Sequence, residues 1–325
     1  MKIGLSDHFT YKKLMRFTFP SVIMMIFTSI YGVVDGFFVS NFVGKTPFAA
    51  VNFIMPFLMI LGALGFMFGT GGSALVAKTM GEGDHARAKR VFSLLIYTSS
   101  AVGVAIAVVG ILLLRPVAEL LGAEGELLQS CVTYGRIILI ALPAFMLQME
   151  FQSFFITAEK PQLGLAVTVA AGVTNMILDA LLVGVLSWGL EGAAIATALS
   201  QVIGGVVPLI YFSRPNSSLL LLTKTDFDGH ALLKTCINGS SELMSNISMS
   251  VVGILYNIQL LKYAGENGVA AYGVLMYVGF VFASAFIGYS IGVAPVVGYH
   301  DGAQNQGEMK SLFRKSIVID RKSVV

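Results

Sequence analysis

Two aspartates in this 325-residue chain stand where an aspartate is costly. Asp35 lies within the apolar run 17–43 and Asp179 within the run 162–187. An ionisable group at the centre of a lone membrane helix costs at least about 2.5–3.5 kcal/mol. Each aspartate falls eight residues before the end of its run, which puts both at one level, roughly 12 Å in from the same face. Three neutral groups reach that level. Asn175 precedes Asp179 by four residues and Tyr31 precedes Asp35 by four, so each shares a helix face with its aspartate, while Thr197 stands a short way down the next run. Two carboxylates that face each other in a dry site cannot both stay charged without a proton or a cation between them. The pattern predicts an H⁺ or Na⁺ site. The alternative is that each aspartate hydrogen-bonds a neighbouring helix as packing glue.

Other candidates are weaker. Glu150, in Gln148-Met149-Glu150-Phe151-Gln152, is either a second acidic site or a side chain snorkelling to the interface. All four histidines (8, 85, 230, 300) fall in tails or connections, which argues against metal or haem ligation inside a bundle. Gly44-Lys45-Thr46 resembles the end of a phosphate loop, but that motif needs glycine where Val39 stands. Asp226-Phe227-Asp228 reads as a turn rather than a metal site, and Cys131 and Cys236 have no metal spacing and read as two inert thiols. The glycines of 65–72 permit close helix packing or bending. No enzyme chemistry and no cofactor are expected, beyond H⁺ or Na⁺ as a coupling ion.

The elements that must position these groups are set by composition. Hydrophobic residues make up 56% of the chain and charged ones 12%, about half the roughly 25% charged share of a soluble domain. So apolar a chain is expected to be an all-α polytopic membrane protein. Eight runs are long enough to span, near 17–43, 48–77, 91–114, 133–156, 162–187, 191–212, 239–263 and 268–298. Gly44-Lys45-Thr46-Pro47, Gly81-Glu82-Gly83-Asp84, Arg115-Pro116, Glu159-Lys160-Pro161 and Gly265-Glu266-Asn267-Gly268 separate them. In the connection 213–236, the leucines 219–222 either lie on the membrane or pack under the helices.

Lys2, Lys12, Lys13 and Arg16 precede the first run without a cleavage site, so that run reads as a membrane helix rather than a signal peptide. Lys78, Arg87, Lys89 and Arg90, then Arg214, Lys224 and Lys234, then Lys310, Arg314 and Lys315 fall on the same side. Arginine and lysine stay on the cytoplasmic side, so both termini are expected there, with Trp188 and Tyr263 as anchors at the opposite interface. The small net charge of +3 lies in short connections and gives no sign of nucleic-acid binding.

An internal repeat is visible at an offset of 221: about 12 of 73 positions agree between 20–92 and 241–313, among them Gly32/Gly253, Gly44/Gly265, Gly71/Gly292 and Gly81/Gly302. Helices 7–8 then repeat helices 1–2, which implies two six-helix repeats and twelve helices, of which the chain carries eight. The expected division is an N-lobe at 1–212, a linker at 213–236 and an incomplete C-lobe at 237–325. Leu312–Val325 is too short and too charged to span and reads as the tail of a truncated product.

Taken together, Tyr31-Gly-Val-Val-Asp35, the glycine cluster ending at Gly81-Glu-Gly-Asp84, Asn175…Asp179 and Gly192-Ala-Ala-Ile-Ala-Thr197 resemble the multidrug and toxic compound extrusion (MATE) family, bacterial branch. The resemblance implies two six-helix lobes around a cavity. It also implies a monomeric antiporter in the cell membrane that exports drug-like, often cationic compounds in exchange for H⁺ or Na⁺. It makes Asp35, Asn175, Asp179 and Thr197, with Tyr31 beside them, the N-lobe cation site. Two departures stand out: Ser241 and Tyr256 occupy the repeat positions of Pro20 and Asp35, so the C-lobe part has no second carboxylate cluster. The alternatives are a lipid-linked-oligosaccharide flippase of the same superfamily and a non-functional truncated product.

Overall fold

The computed structural model describes residues 3–323; Lys2 and Val325 lie outside the described residues. These residues form helices joined by short connections, with no strand among them. The order is α1 (Tyr11–Phe38), α2 (Lys45–Gly81), α3 (His85–Leu120), α4 (Gly125–Thr157), α5 (Pro161–Leu178), α6 (Gly189–Ser213), α7 (Gly229–Gly302) and α8 (Gln306–Ser323). Two of them continue as π-helix: α1 through Val39–Val43 and α5 through Asp179–Val185. Seven helices are long and apolar enough to cross a membrane. The chain is a polytopic all-α membrane protein.

The eighth expected crossing is inside α7. Gly265 has φ 61° and ψ −161°, a conformation open to glycine and hostile to a side chain. There the helix breaks into two limbs that match the runs 239–263 and 268–298. The first limb starts earlier than its apolar run, at Gly229, because Asp228 caps it: Ala231 N–H donates to Asp228 Oδ1 at 3.0 Å. A polar first turn held by a cap leaves no mark in hydropathy, so the irregular connection ends at Asp228. The leucines of that connection pack under the helices. Leu220 is fully buried, and Leu222 N–H donates to Phe212 O at 2.8 Å. Above them Phe212 meets Phe92 and Phe155 at centroid distances of 5.2 Å.

Helix α2 is the central post. A Cβ built on Gly65 would lie 2.7 Å from Met146 Cα of α4, and one on Gly71 would overlap the Thr235 carbonyl of α7. The glycine cluster thus does what its composition suggests and brings three backbones together. The second limb of α7 leans on α1, where a Cβ on Gly288 would lie 2.6 Å from Val22 Cα. At the bundle end bearing Gly44, Thr46 donates to Glu266 Oε2 at 2.6 Å; at the other end Lys78 pairs with Asp301 at 2.5 Å. Leu255, Leu275 and Phe282 point away from the bundle.

Candidate cation site

Three helices bring the predicted polar groups together. Asp35 is on α1, Asn175 is the last turn of α5, Asp179 opens the π-helical continuation of α5, and Thr197 is on α6. Thr197 donates its hydroxyl to Asp35 Oδ1 at 3.3 Å and accepts from Asn175 Nδ2 at 3.4 Å. Asp35 is 7% exposed, and Asn175 and Asp179 are fully buried. Among the described residues, Asn175 Oδ1 and both Asp179 carboxylate oxygens have no hydrogen-bond partner. Buried oxygens in native proteins are almost always partnered, which makes these three acceptors near Asp35 candidates to bind a proton or cation. Four oxygens from Asp35, Asn175, Asp179 and Thr197 suit Na⁺, and the carboxylates alone suit a proton.

The backbone explains why two carboxylates end up here. Val39 N–H is shared between Asp35 O and Gly36 O, and Asp179 N–H between Asn175 O and Met176 O. In both helices the α register gives way to i→i+5 bonding four residues past a site residue, with Gly44 N–H donating to Val39 O at 3.1 Å and Leu186 N–H to Leu181 O at 2.8 Å. Such π segments are frequent at functional sites.

Tyr31 keeps its place on the Asp35 face, with its ring against Gly172 of α5 and its centroid 6.5 Å from that of Phe27. Hydrogen bonds do not join it to the other four among the described residues. Glu150 is apart from this cluster. It is fully buried between α2, where a Cβ on Gly69 would lie 3.1 Å from its Cα, and Ser99 of α3. Burial removes the snorkelling alternative. Neither carboxylate oxygen of Glu150 has a described partner. No group of three or more histidines, cysteines or carboxylates is placed to hold a metal among the described residues.

Sequence reasoning missed Tyr134. This α4 residue is fully buried, its hydroxyl has no hydrogen-bond partner among the described residues, and it lies within electrostatic reach of Asp35, Asp179 and Tyr277. Its depth was the available signal. The fourth run is placed at 133–156, whereas α4 starts at Gly125, so a residue well inside the helix looked interfacial. The polar residues at 126, 129 and 130 had concealed the first two turns.

The fold and the site agree with what is known of related proteins. The model of the MatE family matches residues 20–181 and 243–320. Among curated relatives, the multidrug export protein MepA of Staphylococcus haemolyticus is 28% identical over 309 residues, which cover 95% of this chain and 68% of the relative. MepA of Staphylococcus aureus MRSA252 is 26% identical with the same coverage. Among solved structures, MATE in complex with MaL6 superposes with a TM-score of 0.87 at 23% identity, covering 96% of this chain and 70% of that one. An outward-facing multidrug resistance MATE transporter of the MOP superfamily gives 0.86 at the same identity and coverage. A family match over both lobes, on a bundle that superposes with MATE structures throughout its length, makes the conclusion plain: the chain belongs to the MatE family of bacterial MATE efflux transporters.

Proposed function

We propose that this protein exports drug-like, often cationic organic compounds across the cell membrane in exchange for H⁺ or Na⁺, with Asp35, Asn175, Asp179 and Thr197 binding the coupling ion. The observation that carries the reading is the hydrogen-bonded row Asn175–Thr197–Asp35 beside the unpartnered carboxylate of Asp179. An ion entering that pocket satisfies the unpartnered oxygens of Asn175 and Asp179 on α5 and its π-helical continuation and draws on the bonded oxygens of Asp35 on α1 and Thr197 on α6. Its release frees the two π-helical segments to rearrange. The relatives named as multidrug export proteins support the substrate class. With both termini in the cytoplasm, the site opens toward the outer half of the membrane.

The test is gradient-driven export of a fluorescent organic cation from proteoliposomes, with an imposed Na⁺ or pH gradient. Export that follows one gradient and is lost in the Asp35→Asn, Asp179→Asn double variant supports the reading. Unchanged export by that variant returns both residues to packing.

A further inference from the structure

From the second limb of α7, the side chain of Tyr277 packs next to the Asp35 site. A Cβ built on Gly36 would lie 3.0 Å from Tyr277 Cε2, 3.1 Å from Cζ and 3.2 Å from Oη. The phenol edge therefore rests on the backbone of the residue next to Asp35, so close that a methyl there would push the ring by a few tenths of an ångström. The same ring stacks on Phe48 of α2 with centroids 6.4 Å apart and planes 29° apart. Gly36 is also one of the two acceptors of the shared Val39 N–H, so the ring sits on the stretch of α1 whose hydrogen-bond register changes.

We infer that Tyr277 is a positioning residue through which the second lobe senses whether the Asp35 site is occupied. The inference rests on reading Asp35 and Asp179 as a cation site. The ring is packed between Gly36 and Phe48, so α1 cannot rearrange there without unseating it. Any cation that favours one arrangement of Asp35 and Gly36 then favours one seating of α7. By linkage the seating of α7 changes cation affinity by the same factor.

The chain carries its own reporter. Trp188 is the single tryptophan, and its backbone N–H donates to Leu182 O at 2.8 Å within the π-helical segment that Asp179 opens. In lipid nanodiscs, Trp188 fluorescence is followed while Na⁺ is added at fixed alkaline pH, and separately while protons are added without Na⁺. The unmodified chain is expected to show a saturable change with one of these cations, and Asp35→Asn none. Tyr277→Leu should respond with the same amplitude but reach half-response at about tenfold higher cation concentration, within the usual range of coupling between linked sites. Gly36→Ala, whose methyl displaces the ring, should shift it likewise. Tyr277→Phe, which keeps the ring seated, should recover most of the shift.

If Tyr277→Leu and Gly36→Ala both titrate like the unmodified chain while Asp35→Asn is silent, the inference is overturned and the cation site stands. If the unmodified chain is silent, or Asp35→Asn responds normally, the cation-site reading fails and this inference with it. Should Tyr277→Leu not fold, Gly36→Ala against Tyr277→Phe decides the matter.

Discussion

Thr197 holds Asp35 from α6 with a 3.3 Å hydrogen bond while its own oxygen accepts from Asn175 of α5, so one hydroxyl ties three helices at the level of the carboxylates. Thr197→Val keeps the shape and removes both bonds. A buried group left unpaired costs about 1–3 kcal/mol, which corresponds to a loss of cation affinity of about 5- to 150-fold. Thr197→Ser restores the hydroxyl and should restore affinity. Isothermal titration of the purified chain with the coupling cation measures this, and equal affinity in Thr197→Val would show that the hydroxyl only fills space.

The contact between lobes makes a prediction that is independent of the site. Gly71 has backbone against it, the Thr235 carbonyl and Gly239, with no flexible side-chain tip to give way. Gly71→Ala should destabilise the protein by roughly 1–3 kcal/mol, the range for overpacking. Gly279, also helical, has nothing within 4 Å of its would-be Cβ. Gly279→Ala should be neutral or stabilise by up to about 1 kcal/mol, because alanine is the better helix former. Thermal unfolding of both variants in detergent separates them.

Most of the bundle was legible because a membrane helix needs about 20 apolar residues, and that requirement writes runs, breakers and basic connections into the chain. Asp35, Asn175, Asp179 and Thr197 were legible for the opposite reason, as polar residues where polarity is expensive. Tyr134 and Tyr277 were not. A tyrosine in an apolar run is unremarkable, and Tyr277 reaches the site from a helix more than 200 residues downstream of Asp35 in sequence. The π-helical turns at Val39 and Asp179 also left no trace, because a change of hydrogen-bond register needs no change of residue type.

The N-terminal segment carries a pH dependence of its own. Phe9 N–H donates to Glu308 Oε1 at 2.9 Å and His8 Nδ1 lies 2.6 Å from Glu308 Oε2, fastening the segment to α8, while Leu5 N–H donates to Glu159 at 2.9 Å. Burial pushes the Glu308 carboxyl up, but the Phe9 N–H, His8 and Lys315 outweigh it and hold it below the usual range. Asp7 is held low as well, chiefly by its Lys13 hydrogen bond. A depressed carboxyl contributes stability that is complete above its unfolded value and is lost as pH falls through the folded one. Amide-exchange protection at Phe9 should therefore hold at neutral pH and fall once pH drops below about 4. In Glu308→Gln, whose amide oxygen still accepts from Phe9 N–H but does not titrate, this dependence on pH should be lost. Protection that is flat with pH in the unmodified chain would remove Glu308 as the fastener.

The orientation of the bundle is the remaining expectation, and it follows from charge alone. The end of α2 and the start of α3 carry Lys78, Arg87, Lys89 and Arg90, and the stretch between α6 and α7 with the first turns of α7 carries Arg214, Lys224 and Lys234. At the opposite end of the same helices, Arg115 is set among Glu119, Glu124 and Glu126, and the α5–α6 connection has no lysine or arginine. Basic connections are retained in the cytoplasm, so the Glu124 connection faces outward and the Lys224 connection inward. Replacing Cys131 and Cys236, the two free thiols, leaves a background in which one new cysteine reports its own side. In intact cells an impermeant maleimide should label Glu124→Cys and leave Lys224→Cys untouched until the membrane is opened. The reverse pattern would invert the bundle and move the Asp35 site to the cytoplasmic half. Equal labelling of both positions from outside would mean that the helices between them do not cross as their charges require.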